Sequence, residues 1–95
     1  MDDKYVNLNI TKLFSYDLFA TDTTCLLVFL WLLHKESDGS LYSTRSTIAV
    51  NLRMKDSTVY GALRRLEDKG VINIETSGGR GGSTFHIVNS EQYGA

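Results

Sequence analysis

The chain has 95 residues, enough for one domain with little left for a second. Hydrophobic residues make up 42% and charged residues 22%, a globular balance that excludes wholesale disorder. The single cysteine, Cys25, excludes an internal disulfide and a multi-cysteine metal site, and it favours a reducing, intracellular setting. The longest apolar run, Cys25 to Leu33, is far shorter than the roughly 20 residues that span a bilayer. The acidic first residues argue against a secretory signal.

The net charge of −1 hides an uneven distribution. Residues 1–40 carry three basic and six acidic side chains, whereas residues 41–95 carry seven and five. Between positions 45 and 65 there are five basic residues and one acidic residue. Because salt screens charges beyond about 10 Å, this local cluster matters more than the total. We expect the second half to present a face to an anionic partner and the first half to serve another contact.

The first twenty residues contain two local patterns. Val6, Leu8 and Ile10 alternate with polar residues, the period of two that is typical of a strand. The apolar residues of 13–19 suit a short helical or irregular segment better. Residues 21–24, Thr-Asp-Thr-Thr, then supply N-cap chemistry for a helix.

The helix that follows is apolar on every side, which a helix lying on the protein surface would not be. Part of it has to pack on the rest of the domain, and residues 5–19 or another subunit have to cover the remainder. We therefore expect a homodimer. The residues expected at its interface are apolar side chains of the extension and of this helix: Val6, Leu8, Ile10, Phe14, Leu26 and Phe29.

The middle of the chain predicts a short strand and two helices joined by a tight turn. After a turn at residues 37–40 comes the extended pair Leu41-Tyr42, and Ser43 or Thr44 caps the first helix. Residues 53–55 form the turn, and Asp56 or Ser57 is expected to cap the second helix. The inner face of that helix is predicted from its apolar spacing to be Val59, Ala62, Leu63 and Leu66.

Two strands and a glycine-rich loop complete the order of elements. Gly70 is a natural helix stop, and residues 71–75 and 84–88 are predicted to be strands. The segment TSGGRGGS between them contains four glycines and cannot pack a core, so the two strands form a hairpin. Residues 89–95 are predicted to be a polar tail.

Several short motifs in this order of elements are shared with a known class of domain. They are Asp38-Gly39, Ser46-Thr47-Ile48-Ala49 with Leu52, Ser57-Thr58-Val59, residues 62–67 and Lys69-Gly70-Val71-Ile72. Over residues 22–88 the chain resembles winged helix-turn-helix DNA-binding domains, of the MarR, PadR and GntR type and of plasmid or phage replication and partition proteins. The resemblance implies an α+β, mainly α fold with a two-stranded glycine-rich wing. It divides the chain into an N-terminal dimerisation extension at 1–20, the DNA-binding domain at 21–88 and the tail at 89–95.

The resemblance also implies which residues contact DNA. The second helix of the pair enters the major groove, where Arg64 reaches a guanine edge, while neighbouring groups hold phosphates. Arg80, the charged residue among the glycines, is implied to lie in or beside the minor groove. The full set of expected DNA-binding residues is Ser43, Thr44, Arg45, Ser46, Lys55, Ser57, Thr58, Tyr60, Gly61, Arg64, Arg65 and Arg80.

Two of these positions on the second helix need an explanation. Gly61 costs roughly 1 kcal/mol against alanine in a helix, and it either lets the helix approach the DNA closely or relieves a crowded helix crossing. Asp56 stands where the family often has a polar or basic residue, and its carboxylate repels phosphate unless it caps the helix or accepts from a cytosine amino group. Of these, the sequence favours the cap.

An enzyme is not expected. His34 and His86 lie in different elements, Cys25 is embedded in apolar sequence, and the glycine-rich loop lacks the lysine and following helix of a phosphate-binding loop. No cofactor or metal is expected. The leading interpretation is a cytoplasmic, prokaryotic, homodimeric repressor that binds double-stranded DNA, on a chromosome, plasmid or virus. The alternatives are a plasmid or phage partition protein with a partner from that system, and a winged helix that binds protein.

Overall fold

Helices and a three-stranded antiparallel sheet share one core in the computed structural model, which describes residues 9–76 and 81–93. The chain is a small α+β domain that is mainly helical, and this part of the prediction is confirmed. The described elements are α1 (Ile10–Leu13), α2 (Asp17–Thr21), α3 (Thr23–Lys35), β1 (Ser40–Ser43), α4 (Arg45–Leu52), α5 (Asp56–Asp68), β2 (Ile72–Thr76), β3 (Ser83–Ile87) and a 3-10 helix (Ser90–Tyr93).

Two helices begin at the caps that the sequence predicts. The Asp22 side chain accepts a hydrogen bond from the Cys25 backbone N–H at 3.0 Å and caps α3. The Thr44 hydroxyl accepts from the Thr47 N–H, also at 3.0 Å, and caps α4. Each cap satisfies a backbone donor that has no partner within its own helix. These caps fix where α3 and α4 begin relative to the strands and turns before them.

The start of α5 differs from the prediction. Its N-cap is Lys55, which makes no side-chain capping hydrogen bond, and Asp56 is the first helical residue. The prediction that Asp56 or Ser57 caps this helix is therefore wrong. The tight turn itself is confirmed: Arg53 adopts a left-handed conformation with φ of 57°, and the Met54 N–H donates to the Ala49 carbonyl. The chain becomes extended at Lys55, one residue earlier than the cap chemistry indicated.

Strand β3 lies in the middle of the sheet, with β1 on one side and β2 on the other. The predicted β2–β3 hairpin is confirmed, and Ile74 and Leu41 both pair with Phe85 across the sheet. Phe85 and Ile87 face the core, so the residues that alternate with them, Thr84 and His86, lie on the opposite face. The addition of β1 to this hairpin is not evident from the sequence.

The core is built chiefly between α3 and α5, with the sheet packed against them. The predicted inner face of α5 is confirmed, since Val59, Ala62, Leu63 and Leu66 are all buried. One side of α3 is fully buried against it, and its buried residues are Cys25, Val28, Phe29, Leu32 and Leu33.

Both ends of the described chain belong to this same core. Phe19 packs on Phe29 with ring centroids 4.7 Å apart, and Tyr93 packs edge-on against Phe29 from the other side at 5.0 Å. Leu13 is also buried. Tyr93 is only 1% exposed, so describing residues 89–95 as a polar tail is wrong. The segment predicted as an extension likewise contributes core residues, because a domain this small gains apolar burial from both chain ends.

The alternating pattern at the start of the chain does not continue as a strand. Ile10 is the first residue of α1, and the Asn9 N–H donates to the Tyr93 carbonyl at 2.8 Å. Val6 and Leu8 lie outside the described residues. Within residues 9–76 and 81–93 no helix combines the length and apolar character that a membrane crossing requires.

Candidate nucleic-acid interface

A groove of about 510 Å³ lies between α5, the beginning of α4 and the β2–β3 hairpin. Its floor is apolar, since Leu63 and Phe85 are buried there and Ile74 is half-buried. Its walls bring together five residues that the sequence assigns to DNA: Thr44, Arg45, Ser46, Tyr60 and Arg64. Residues from two helices that are separate in the sequence thus share one surface.

Arg45 and Tyr60 form a pair inside this groove. The guanidinium carbon of Arg45 lies 5.1 Å from the centroid of the Tyr60 ring, within the range of a cation–π interaction. Arg45 is the first residue of α4, and Tyr60 is 48% exposed on α5. The ring therefore holds a cationic side chain of α4 beside the exposed face of α5. The sequence assigned both residues to DNA but gave no sign of this pairing.

The charge of the groove comes from Arg45 and Arg64, with one acidic side chain among its described lining residues, Glu67. The Glu67 carboxylate accepts a hydrogen bond from the Ile74 backbone N–H at 3.2 Å. It therefore ties α5 to β2. The two guanidinium groups outnumber the one carboxylate among the described lining residues, so the groove carries a net positive charge that attracts an anion.

Asp56 connects α5 to α4. The Ser46 hydroxyl donates to Oδ2 of Asp56 at 3.1 Å, and both side chains are exposed. Lys55, Ser57 and Thr58 are exposed at the same end of α5. The structure thus collects these polar side chains at the beginning of α5, next to the groove wall formed by Ser46.

Arg65 belongs to a different contact. Its Nε donates to Oδ2 of Asp22 at 2.7 Å, so the side chain joins α5 to the start of α3, and it is not among the groove residues. Partial burial acts to raise the pKa of Asp22, but hydrogen bonds from the Cys25 N–H and from Arg65 outweigh it and lower the pKa. The structure thus gives Arg65 a contact within the domain, and its assignment to DNA stays a prediction.

Cys25 lies beside this ion pair. Burial, together with the neighbouring Asp22, raises the pKa of its thiol, and its Sγ lies 3.6 Å from the Ala62 carbonyl oxygen. The side chain is fully buried. A protonated thiol without access to solvent is a poor nucleophile, which fits the interpretation of Cys25 as inert.

The surroundings of Gly61 separate its two interpretations. A Cβ placed on Gly61 would meet only the Arg65 guanidinium, at 3.2 Å from Nη1. No neighbouring helix of the described chain lies within 4 Å of a Cβ at this position, so crowding at a helix crossing does not explain the glycine. Gly61 lies between Ser57 and Arg64 on the side of α5 that faces away from the core. The remaining interpretation is that it lets a partner approach the helix backbone.

The base of the hairpin is held by Tyr42, a residue that the sequence analysis missed. Its hydroxyl accepts from the Gly82 N–H at 3.0 Å, although the residue is 60% exposed. A Cβ at Gly82 would overlap the Ser43 carbonyl, so glycine is required where β3 approaches β1. Ser43, assigned to DNA, therefore meets the hairpin through its backbone. Arg80 lies outside the described residues.

His86 joins all three strands on the face of the sheet away from the core. Its Nδ1 lies 2.8 Å from the Ser40 hydroxyl, and its Nε2 lies 2.9 Å from Oε1 of Glu75. These side chains come from β1, β3 and β2. The contacts fit the interpretation of His86 as a structural or surface residue, and they help to fix the hairpin on β1.

The predicted dimer surface requires one clear correction. Phe29 is fully buried in the core of its own chain and cannot present a face to a partner. Leu26 is half-buried against the same core, whereas Phe14 is 46% exposed. Val6 and Leu8 lie outside the described residues, as does the side chain of Ile10.

The outer side of α3 carries three further apolar residues, two of which, Leu30 and Trp31, still pack partly against the core. Leu27 is 43% exposed, and Leu30 and Trp31 are half-buried. The three follow the spacing i, i+3, i+4, which places them together on the side opposite the buried residues. The sequence carries no signal for this side, because a helix that is apolar all round does not show which side faces the core.

No protein-family model matches the sequence, and the search of curated proteins found no match. Among the described residues, no three histidine, cysteine, aspartate or glutamate side chains lie close enough together to hold a metal ion.

Proposed function

We propose that this chain is a sequence-specific double-stranded DNA-binding protein with a winged helix-turn-helix fold. The observation that carries the proposal is the groove in which Arg45, Tyr60 and Arg64 meet between α4, α5 and the hairpin. Two arginines beside an exposed helix face are the features that phosphate contact and base reading require. The protein acts as a binding protein and not as an enzyme, in the cytoplasm, without a cofactor.

In this proposal α5 is the recognition helix and enters the major groove. Its outward residues Ser57, Gly61 and Arg64 face base edges, and Arg64 donates two hydrogen bonds to a guanine. Arg45 and Lys55, at the starts of α4 and α5, contact phosphates on either side of the groove. The hairpin is the wing, and Arg80 enters or borders the adjacent minor groove.

We further propose that two copies pair through α3. Leu27 is exposed on the outer side of α3 with Leu30 and Trp31 half-buried beside it, and Phe14 adds a second exposed apolar residue. A homodimer places two α5 helices on two half-sites about one turn of DNA apart. A dimer bound over a promoter excludes other proteins from it, which is the action of a repressor.

The test begins with selection of bound duplexes from a random pool, which identifies the preferred site. Arg64→Ala is then expected to cost about 1–3 kcal/mol on that site and much less on a scrambled duplex. Arg65→Ala is the matched control, because the neighbouring arginine faces Asp22 and its loss is expected to leave both affinities nearly unchanged. Selection that recovers no preferred sequence contradicts sequence-specific binding.

A further inference from the structure

Asp56 places a carboxylate at the start of α5, on the surface that is proposed to contact DNA. It is the one acidic residue between positions 45 and 65, and it is exposed at the start of α5. It does not cap the helix, since the N-cap is Lys55 and no side-chain cap is formed. A carboxylate here repels nearby phosphates. In the first turn of α5 it does interact favourably with the helix dipole, but that role does not use its contact with Ser46.

The contact with Ser46 gives the carboxylate a fixed orientation. The Ser46 hydroxyl donates to Oδ2 at 3.1 Å, and Ser46 itself lines the groove. Oδ1 receives no hydrogen bond from the described residues. One oxygen is thus held by the protein, and the other is available to a donor from outside.

We infer that Asp56 accepts a hydrogen bond from a cytosine amino group and selects for cytosine at one position of the site, with Ser46 as its positioning residue. The inference rests on the proposed DNA-binding function. An ionised carboxylate only accepts hydrogen bonds, so it needs a base that donates. Guanine and thymine present acceptor oxygens in the major groove, and adenine places its acceptor N7 beside its amino group. Cytosine presents a donor without that neighbouring acceptor.

The distance between Asp56 and Arg64 predicts that they read different base pairs. Eight residues of α-helix span about 12 Å along the axis. A recognition helix lies in the groove and not along the DNA axis, so this separation places the two side chains over different base pairs without fixing the number between them. Each half-site should therefore contain a cytosine read by Asp56 and, at a separate position, a guanine read by Arg64.

The experiment measures competition between duplexes in which each cytosine–guanine pair of the selected half-site is replaced in turn by thymine–adenine. Wild-type protein is expected to lose roughly tenfold in affinity at one cytosine position. Asp56→Asn should reduce the cytosine preference to within about twofold. The preference for guanine at the position read by Arg64 should be unchanged. Ser46→Ala should weaken the cytosine preference in part.

Asp68→Asn is the matched control, because Asp68 is an exposed acidic residue at the other end of the same helix. Removing either carboxylate should tighten binding to random duplexes at low salt, but only Asp56→Asn should change a base preference. If Asp56→Asn raises the affinity for all duplexes equally and retains the cytosine preference, Asp56 only repels DNA and the inference is wrong. If Asp56→Asn loses discrimination at every position at once, Asp56 is a structural residue and the inference is again wrong. A wild-type chain that binds no duplex at low salt contradicts the proposed function itself.

Discussion

The carboxylate of Asp22 joins the start of α3 to α5 through Arg65. Oδ2 lies 2.7 Å from Nε of Arg65, and Oδ1 accepts from the Cys25 N–H at 3.0 Å. One side chain therefore caps a helix and orients its neighbour. Because α3 and α5 already pack against each other in the core, this contact adds an ion pair at the edge of an interface that apolar packing holds.

The first prediction concerns the pH dependence of stability. Because the pKa of Asp22 is lowered from 3.8 in the folded chain, the unfolded chain binds more protons in the acidic range. The stabilisation is fully present above the unfolded pKa and is lost as the pH falls through the folded pKa. Asp22→Asn retains a capping side chain, so at pH 7 it should cost no more than about 1 kcal/mol, since Arg65 is half exposed to solvent.

Urea unfolding at pH 7 and at pH 2 measures this difference. The gap between wild type and Asp22→Asn should narrow at the lower pH. An equal gap at both values would show that the Asp22 carboxylate contributes through its shape and not through its charge.

The second prediction separates stability from binding at Gly61. A Cβ there would meet only the flexible end of Arg65, so Gly61→Ala should stabilise the fold by up to about 1 kcal/mol. It should also weaken DNA binding, because the added methyl group holds the helix away from the base edges. Gly70→Ala is the control: Gly70 has a φ of 77°, so the same substitution should destabilise the fold.

Thermal unfolding and duplex titration of both variants provide the measurement. If Gly61→Ala is stabilised and binds as tightly as the wild type, the glycine has no part in DNA approach.

The third prediction concerns the dimer. Leu27→Glu places a charge on the outer side of α3 and should convert a dimer into a monomer with little loss of fold stability, because Leu27 is 43% exposed. Val50→Glu is the matched control, since Val50 is an apolar residue on α4 that is 77% exposed.

Sedimentation equilibrium at tens of micromolar distinguishes monomer from dimer, because this concentration exceeds the Kd of an ordinary stable interface. Wild type and Val50→Glu should sediment as dimers and Leu27→Glu as a monomer. A wild-type chain that is monomeric at this concentration rules out pairing through α3.

The fourth prediction concerns Arg80. It depends on the place of this arginine in the glycine-rich sequence between β2 and β3. Arg80→Ala should weaken binding more where A·T runs flank the site, because a narrow minor groove attracts a guanidinium most strongly. Arg80→Lys should recover only part of the loss, since an ammonium group is more strongly hydrated. Equal affinities of wild type and Arg80→Ala for every flanking sequence would show that Arg80 does not contact DNA and that α5 supplies the binding without it.

The sequence predicted the elements with strong local signals. The caps at Asp22 and Thr44, the inner face of α5 and the hairpin all depend on short-range chemistry and periodicity, and the structure has them. It could not predict contacts that join distant segments. The burial of Tyr93 against Phe29 and the addition of β1 to β3 depend on tertiary packing that no local pattern shows.

The candidate site shows the same division. Arg45, Tyr60 and Arg64 were recognisable from their helix positions, but their meeting in one groove depends on the angle between α4 and α5. Arg65 carries the same charge one residue beyond Arg64, and the structure distinguishes the two by the ion pair of Arg65 with Asp22, the N-cap of α3. The misassignment of Phe29 has a similar cause, because a helix that is apolar all round does not reveal which side faces the core.

The salt dependence of duplex binding tests DNA recognition through the groove most directly. If Arg45 and Lys55 contact phosphates, the logarithm of the affinity falls linearly with the logarithm of the salt concentration. Arg45→Ala and Lys55→Ala should each flatten that slope by about one unit, whereas Arg65→Ala should leave it unchanged. The contradictory result is a wild-type chain that binds no duplex at low salt, or a slope that Arg45→Ala and Lys55→Ala do not alter.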